Sequence, residues 1–106
     1  ASSTIAFGQI TVDLASHEVC KSGEIVHLTP IEFRLLTALI RGQGRVLTHR
    51  QLLSEVWGSA YIERAHYLRV HMANLRHKLE DDPARPAHFV TELQVGYRLS
   101  GCMPIA

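Results

Sequence analysis

Hydrophobic and polar residues alternate with a period of two through the first 29 residues, in the stretches ITVDL, HEVCK and EIVHL. Such alternation is typical of β-strands that bury one face. Ser22 and Gly23 lie between two of these stretches, where a tight hairpin turn is expected. The segment is therefore predicted to form a small antiparallel sheet of three or four strands.

Two amphipathic helices are predicted next, because each begins with a capping box. The first box is T-P-I-E at residues 29–32, with proline at the first helical position, and its helix should end near residue 41. The second box is T-H-R-Q at residues 48–51, which follows a short extended bridge. Gly58 can end the second helix, and residues 58–63 are expected to be a loop.

A third helix is predicted over residues 64–80, which read RAHYLRVHMANLRHKLE. At about 100° per residue, one apolar stripe forms, which must be buried: Leu68, Met72, Leu75 and Leu79. The opposite face is rich in hydrogen-bond donors and carries His66, Arg69, Val70, Ala73 and His77, flanked by Asn74 and Arg76. No acid occurs between residues 64 and 79, whereas four cations do: Arg64, Arg69, Arg76 and Lys78.

The C-terminal part is predicted to be a β-hairpin. Two prolines in DDPARP stop the third helix, and HFVTELQVGYRLS reads as two strands joined around residues 94–96. Cys102 falls in a tail after the last expected element. The order of sheet, three helices and hairpin predicts an α+β domain.

Composition is that of one globular domain, since 106 residues are too few for two. A net charge of +1 argues against indiscriminate binding to polyanions. The first 29 residues hold three acids and one lysine, so the positive charge belongs to the rest of the chain. No run is long and apolar enough to span a membrane and no signal peptide opens the chain, so we expect a cytoplasmic protein with Cys20 and Cys102 as free thiols.

Enzymatic and metal-binding interpretations find little support. His66, His71 and His77 are five and six residues apart, so they do not share a helical face as zinc ligands would. No glycine-rich phosphate loop, nucleophile elbow or Cys-x-x-Cys motif occurs. The acids at residues 80–82 are interpreted as a solvated turn at a helix end. We therefore expect no catalysis, no metal and no cofactor.

The cationic face of the third helix is better explained by DNA. A purely solvated face usually mixes charges of both signs, whereas this one has only cations. Arg69 and Arg76 could reach guanine edges or phosphate, and exposed Val70 suits a thymine methyl group. The preceding helix completes a helix-turn-helix with a long connecting loop, and its first residues, Thr48, His49 and Arg50, are candidates for phosphate contacts.

These residues also resemble a known family. The strings LTPIEFRLL, GRVLTHRQLLSEVWG, HYLRVHMANLRHKLE and GYRL are similar, in this order, to the winged-helix effector domain of OmpR/PhoB-type bacterial response regulators. HYLRVHM, KLEDDPARP and HLTPIEFRLL resemble the branch that controls potassium-uptake operons. The resemblance covers residues 7–100, and we take residues 1–106 as one such domain.

The resemblance implies a winged helix-turn-helix with an N-terminal antiparallel sheet, three helices and a C-terminal hairpin, the wing. It also implies that the third helix enters the major groove and the wing the adjacent minor groove. Family members carry an N-terminal receiver domain that a sensor histidine kinase phosphorylates, and they bind head-to-tail at direct repeats. We expect that receiver to be absent from this fragment. Expected partners are therefore promoter DNA, a second copy of the protein, the kinase through the receiver, and RNA polymerase.

Site residues are carried over position by position. Those expected to read bases are Arg69, Val70, Ala73 and Asn74. Those expected to contact the DNA backbone are Thr48, His49, Arg50, His66, Tyr67, Arg76, His77 and Arg98. The wing would comprise Leu93, Gln94, Val95, Gly96 and Tyr97, and the loop facing RNA polymerase Gly58, Ser59, Ala60, Tyr61, Ile62 and Glu63.

The sequence departs from the family pattern at the wing. Many members have a basic residue and a glycine where this chain has Leu93 and Gln94, and arginine is common at the position of Asn74. These differences lower the local charge. An alternative function is a winged-helix module that binds protein alone, through the loop at 58–63 and the sheet. In that loop, Tyr61 and Ile62 could contact a partner.

Overall fold

The first sheet has five antiparallel strands in a computed structural model that describes residues 3–105. Four come from the N-terminal segment, as predicted: β1 (Thr4–Phe7), β2 (Ile10–Asp13), β3 (Glu18–Lys21) and β4 (Glu24–Ile25). Ser22 and Gly23 form the predicted turn, with φ of 51° and 82°.

The fifth strand was not predicted. Residues Met103–Ile105 form β8, which pairs antiparallel with β1 and makes one edge of the sheet. The expectation that Cys102 lies in a tail after the last element was therefore wrong. The strand is only three residues long and contains Pro104, which an edge position tolerates because one side of the strand needs no backbone donor.

Both capping boxes are confirmed. Helix α1 (Pro30–Arg41) begins where the Thr29 hydroxyl accepts from the Glu32 N–H at 3.2 Å and the Glu32 carboxylate accepts from the Thr29 N–H at 3.0 Å. Helix α2 (His49–Trp57) repeats this arrangement with Thr48 and Gln51, at 3.0 and 2.8 Å. Each box satisfies backbone donors that a helix start leaves without an intrahelical partner.

Helix α3 (Ala65–Leu79) packs against both earlier helices through the predicted apolar stripe. All four stripe residues are buried: Leu68, Met72, Leu75 and Leu79. The core they join includes Phe7 and Val12 from the first sheet and Leu36 and Leu53 from the other helices. The periodicity therefore identified correctly which side of α3 is buried.

The second sheet forms the wing and joins it to α2. Strands β6 (Phe89–Glu92) and β7 (Gly96–Leu99) make the hairpin, and β5 (Leu47–Thr48) pairs with β7. Gly96 is the first residue of β7 rather than part of the turn. A Cβ atom at Gly96 would lie 1.8 Å from the carbonyl oxygen of Leu47, so only glycine lets β5 and β7 approach this closely.

Glu80 corrects the prediction of a solvated turn at residues 80–82. Its side chain is only 3% exposed, whereas Asp81 and Asp82 are exposed. The Glu80 carboxylate accepts three backbone N–H groups, from Ala87 at 3.1 Å, His88 at 2.8 Å and Phe89 at 2.7 Å. It therefore organises the chain that leads from α3 into the wing.

Three further observations concern the cysteine thiols, possible metal ligands and possible membrane-spanning helices. Cys20 and Cys102 are both free thiols, as predicted. Among residues 3–105, no group of His, Cys, Asp and Glu side chains is arranged to hold a metal ion. No helix in this described part of the chain is long and apolar enough to cross a bilayer.

Candidate nucleic-acid interface

The outward face of α3 is a continuous exposed surface. Arg69, Val70, Ala73, Asn74 and His77 are all exposed, and Val70 is 54% accessible. Among the described residues, neither Arg69 nor Asn74 has a hydrogen-bond or ion-pair partner. Their donors and acceptors are therefore available to a ligand, and the low bulk of Ala73 leaves room between them.

The N-terminal end of α3 is held by aromatic contacts. The Tyr67 ring is half-buried, with its centroid 4.5 Å from that of His66, 6.1 Å from that of Tyr61 and 6.2 Å from that of Trp57. Arg64 donates to the Tyr67 hydroxyl at 3.3 Å and lies over the same ring. These contacts fix the Tyr67 ring while His66 stays exposed beside it.

Arg76 is tied to the wing rather than free on the α3 surface. Its Nε and Nη2 atoms donate to the Phe89 carbonyl oxygen at 3.0 and 2.7 Å, and Nη2 also donates to Thr91 Oγ1 at 2.6 Å. Its guanidinium carbon lies 5.7 Å from the centroid of the Tyr97 ring. Sequence reasoning identified Arg76 as a DNA contact but could not see that it joins α3 to β6.

Lys78 also lies away from the exposed face of α3. Its Nζ atom is 2.6 Å from Glu32 Oε1 and donates to the His27 carbonyl oxygen at 3.1 Å. Burial would raise the pKa of Glu32, but hydrogen bonds from Lys78 and from the Thr29 N–H outweigh it and hold that pKa below its ordinary value of 4.5. Lys78 therefore connects α3 to α1, although the sequence counted it in the cationic run.

The start of α2 offers one free cation. Arg50 is exposed and has no hydrogen-bond or ion-pair partner among the described residues. The Thr48 hydroxyl is used by the capping box, and the His49 ring packs edge-on against Tyr97 with centroids 5.5 Å apart. The His49 N–H donates to the Val95 carbonyl oxygen at 3.3 Å. Thr48 and His49 therefore link α2 to the wing, and Arg50 is the exposed charge beside them.

The wing has an apolar tip and an internal ion pair. Leu93 is 84% exposed, and Gln94 and Val95 beside it are exposed too. Tyr97 is buried and belongs to the hydrophobic core rather than to the exposed tip. Arg98 Nε donates to Glu92 Oε1 at 3.0 Å, so the arginine expected to contact phosphate already has an acidic partner.

The segment between α2 and α3 contains a 3₁₀ turn at Ser59–Tyr61, where the sequence predicted only a loop. Tyr61 is exposed and Ile62 is half-buried. A shallow groove runs between this segment and α2, lined by Leu47, Arg50, Gln51, Ser54, Glu55, Ser59 and Ile62. An aromatic and an aliphatic side chain are therefore presented on an ordered turn.

The family of domains described as "Transcriptional regulatory protein, C terminal" matches residues 23–99. The chain belongs to this family, the OmpR/PhoB-type regulator domains. The regulator domain is 56% identical over 94 residues to the KDP operon transcriptional regulatory protein KdpE of Escherichia coli K12. The aligned region covers 89% of the chain and 42% of that protein. It is 53% identical over 88 residues to KdpE of Mycobacterium tuberculosis, covering 83% of the chain and 39% of that protein.

A solved structure supports the same assignment. The DNA-binding domain of RstA from Klebsiella pneumoniae, crystallised in complex with its RstA box, matches the regulator domain with a TM-score of 0.82. The two are 30% identical, and the match covers 92% of this chain and 97% of that one. The winged-helix fold is therefore confirmed, and the relatives are transcription regulators rather than enzymes. The chain spans about two-fifths of the length of the curated relatives.

Proposed function

We propose that this domain binds promoter DNA sequence-specifically and regulates transcription as the effector of a two-component response regulator in the bacterial cytoplasm. The observation that carries the proposal is the exposed face of α3, which has no acid between residues 64 and 79 and leaves Arg69 and Asn74 without intramolecular partners. A helix with such a face fits the major groove, whose base edges present matching donors and acceptors.

Four residues of α3 are assigned to base reading. Arg69 can donate two hydrogen bonds to guanine O6 and N7, and Asn74 can pair with adenine N6 and N7. Val70 can pack on a thymine methyl group, and Ala73 allows close approach of the helix to the bases.

Contacts to the DNA backbone are assigned to the surrounding side chains. Arg50, His66, Tyr67 and His77 are proposed to contact phosphates, with the Thr48–His49 segment presenting the start of α2 to the same strand. Arg76 and Arg98 remain candidates from the sequence, but their guanidinium groups are already hydrogen-bonded to the protein. We assign Arg76 first to holding the wing beside α3.

The proposed target is the control region of a potassium-transport operon, because both KdpE relatives align over most of this domain. Two copies would bind direct repeats head-to-tail, since pairing adds affinity that a single domain with few contacts lacks. The segment at 58–63, with exposed Tyr61, is proposed to face RNA polymerase. In the full-length protein, a receiver domain would take the signal from a sensor histidine kinase.

Fluorescence anisotropy tests the proposal. The chain is titrated against a duplex with two direct half-sites from a potassium-uptake promoter and against a scrambled duplex, at about 50 and 200 mM salt. Tighter, salt-sensitive binding to the promoter is expected. Equal weak binding to both would remove the potassium-operon assignment, and absence of binding would favour a module that binds protein alone through the exposed 58–63 segment.

A further inference from the structure

The outer side of the wing carries one cation, Arg98, and this cation forms an ion pair with an acid, Glu92. Arg98 lies opposite Val90, and Glu92 is two residues along the same strand, so the two charged side chains share a face of the hairpin. The residue opposite Glu92 is Gly96, which has no side chain to separate them. The resulting Nε–Oε1 distance is 3.0 Å, and both side chains remain more than one-third exposed.

No other charge is available in the wing. Between residues 89 and 99, Glu92 and Arg98 are the only charged residues, so the hairpin is formally neutral. The tip residues Leu93, Gln94 and Val95 are exposed and uncharged. Arg76 cannot compensate, because it donates to Phe89 and Thr91 on the other side of β6.

We propose that Glu92 holds Arg98 away from DNA and thereby limits the affinity and the salt dependence of this domain. The inference rests on the proposed function, because it concerns the same duplex. Phosphate repels the Glu92 carboxylate, and the ion pair through Nε holds the Arg98 guanidinium beside that carboxylate. The remaining Nη donors of Arg98 can therefore reach a phosphate only by bringing the carboxylate close to it or by leaving the ion pair. The wing therefore contributes its shape and its apolar tip to the groove but no net neutralisation of phosphate.

Salt dependence gives this proposal a quantitative signature. Each phosphate that a cation neutralises steepens the slope of log K against log salt by about 0.9. Glu92→Gln removes the negative charge and keeps the side-chain shape. It leaves Arg98 only a neutral acceptor, so a charged phosphate becomes the better partner for its guanidinium. The ratio of the DNA affinity of Glu92→Gln to that of the wild type should therefore grow about 3.5-fold when the salt concentration falls from about 200 to 50 mM.

The test compares four chains on the promoter duplex across a salt series: wild type, Glu92→Gln, Glu24→Gln and the double variant Glu92→Gln/Arg98→Gln. Glu24 is exposed on β4 of the first sheet, so its variant has the same net charge change away from the wing. We expect Glu92→Gln to bind more tightly and with a steeper slope, Glu24→Gln to match the wild type, and the double variant to lose the gain. Thermal unfolding should change little in every variant, because exposed ion pairs contribute little to stability.

Every other result contradicts either this inference or the proposed function. If Glu92→Gln binds no better than Glu24→Gln while the wild type binds DNA, the inference fails and the proposed function stands. If the gain persists in the double variant, Glu92 acts by direct repulsion of phosphate and does not restrain Arg98, so the inference is wrong. If no variant binds any duplex, the proposed function fails and the inference with it.

Discussion

The guanidinium group of Arg76 donates two hydrogen bonds to the carbonyl oxygen of Phe89, at 3.0 and 2.7 Å. Arg76 belongs to the proposed recognition helix, and Phe89 is the first residue of the wing. The contact fixes the spacing between the two elements that would enter adjacent grooves. Because the donor is charged and bidentate, this contact is stronger than a single neutral hydrogen bond.

Arg76→Lys is therefore expected to damage the domain although it keeps the positive charge. A lysine ammonium cannot reproduce the planar fork on Phe89, so the free energy of unfolding should fall by about 1–2 kcal/mol and all duplexes should bind more weakly. Urea unfolding and anisotropy measure the two effects. Arg50→Lys is the matched control and should stay close to the wild type. Wild-type stability and affinity in Arg76→Lys would mean that Arg76 acts only as a point charge.

Arg69 and Arg50 are expected to differ in what they contribute to DNA binding. Arg69→Ala should reduce discrimination between promoter and scrambled duplexes by about 1–3 kcal/mol, because it removes a contact to a base edge. Arg50→Ala should weaken binding to both duplexes alike, because it removes a phosphate contact. The slope of log K against log salt should become shallower by about 0.9. Uniform loss in both variants would show that Arg69 does not read bases.

Glu80→Gln should destabilise the domain by about 2–4 kcal/mol. The amide has only one oxygen and brings an NH₂ group towards backbone N–H donors, leaving buried donors without acceptors. Asp81→Asn is the control: Asp81 is exposed, and its ion pair with Lys21 at 3.4 Å should contribute about 1 kcal/mol at most. Chemical denaturation would compare the two, and equal losses would contradict the structural role of Glu80.

The ion pair between Glu32 and Lys78 gives the domain a specific acid sensitivity. Because the folded pKa of Glu32 lies below 4.5, its ionisation stabilises the fold fully above about pH 4.5, and this contribution is lost as the pH falls through the folded pKa. Lys78→Met should lower the free energy of unfolding at pH 7 by about 1–3 kcal/mol.

Comparing the wild type with Glu32→Gln separates the pH dependence caused by Glu32 from that caused by the other carboxylates. Urea unfolding at several pH values between 7 and 3 should show a smaller loss of stability below pH 4.5 in Glu32→Gln than in the wild type. The same pH dependence in both proteins would show that the Glu32 pKa does not differ between the folded and unfolded states.

Much of the fold was predictable because its signals are local. The capping boxes at Thr29 and Thr48 act over three residues, and the stripe through Leu68 and Leu79 repeats within one helix. The exposed face of α3 follows from the same periodicity, so the candidate interface was predictable as a surface. Strand β8 was missed because it is short and pairs with a strand almost one hundred residues earlier.

Which charges on that surface are free could not be predicted. Arg76, Lys78 and Glu80 have long side chains whose partners lie far along the chain or in a loop without periodicity, as with Lys78 and Glu32, 46 residues apart. Only the packed structure brings those partners together. The sequence therefore predicted a run of cations on α3 but not that two of them, Arg76 and Lys78, are hydrogen-bonded within the domain.

Cys102 should be an unreactive thiol in the folded protein. Burial raises its pKa from 9.0 to about 11, because a thiolate loses more solvation than a thiol when water is excluded. In a Cys20→Ser variant, alkylation by iodoacetamide at pH 8 should therefore be about 100-fold slower in the folded state than in urea, since only the thiolate reacts. A Cys102→Ser variant, in which only Cys20 can be alkylated, is the control. Equal rates for Cys102 in the two states would show that the folded chain does not shield this sulfur from water.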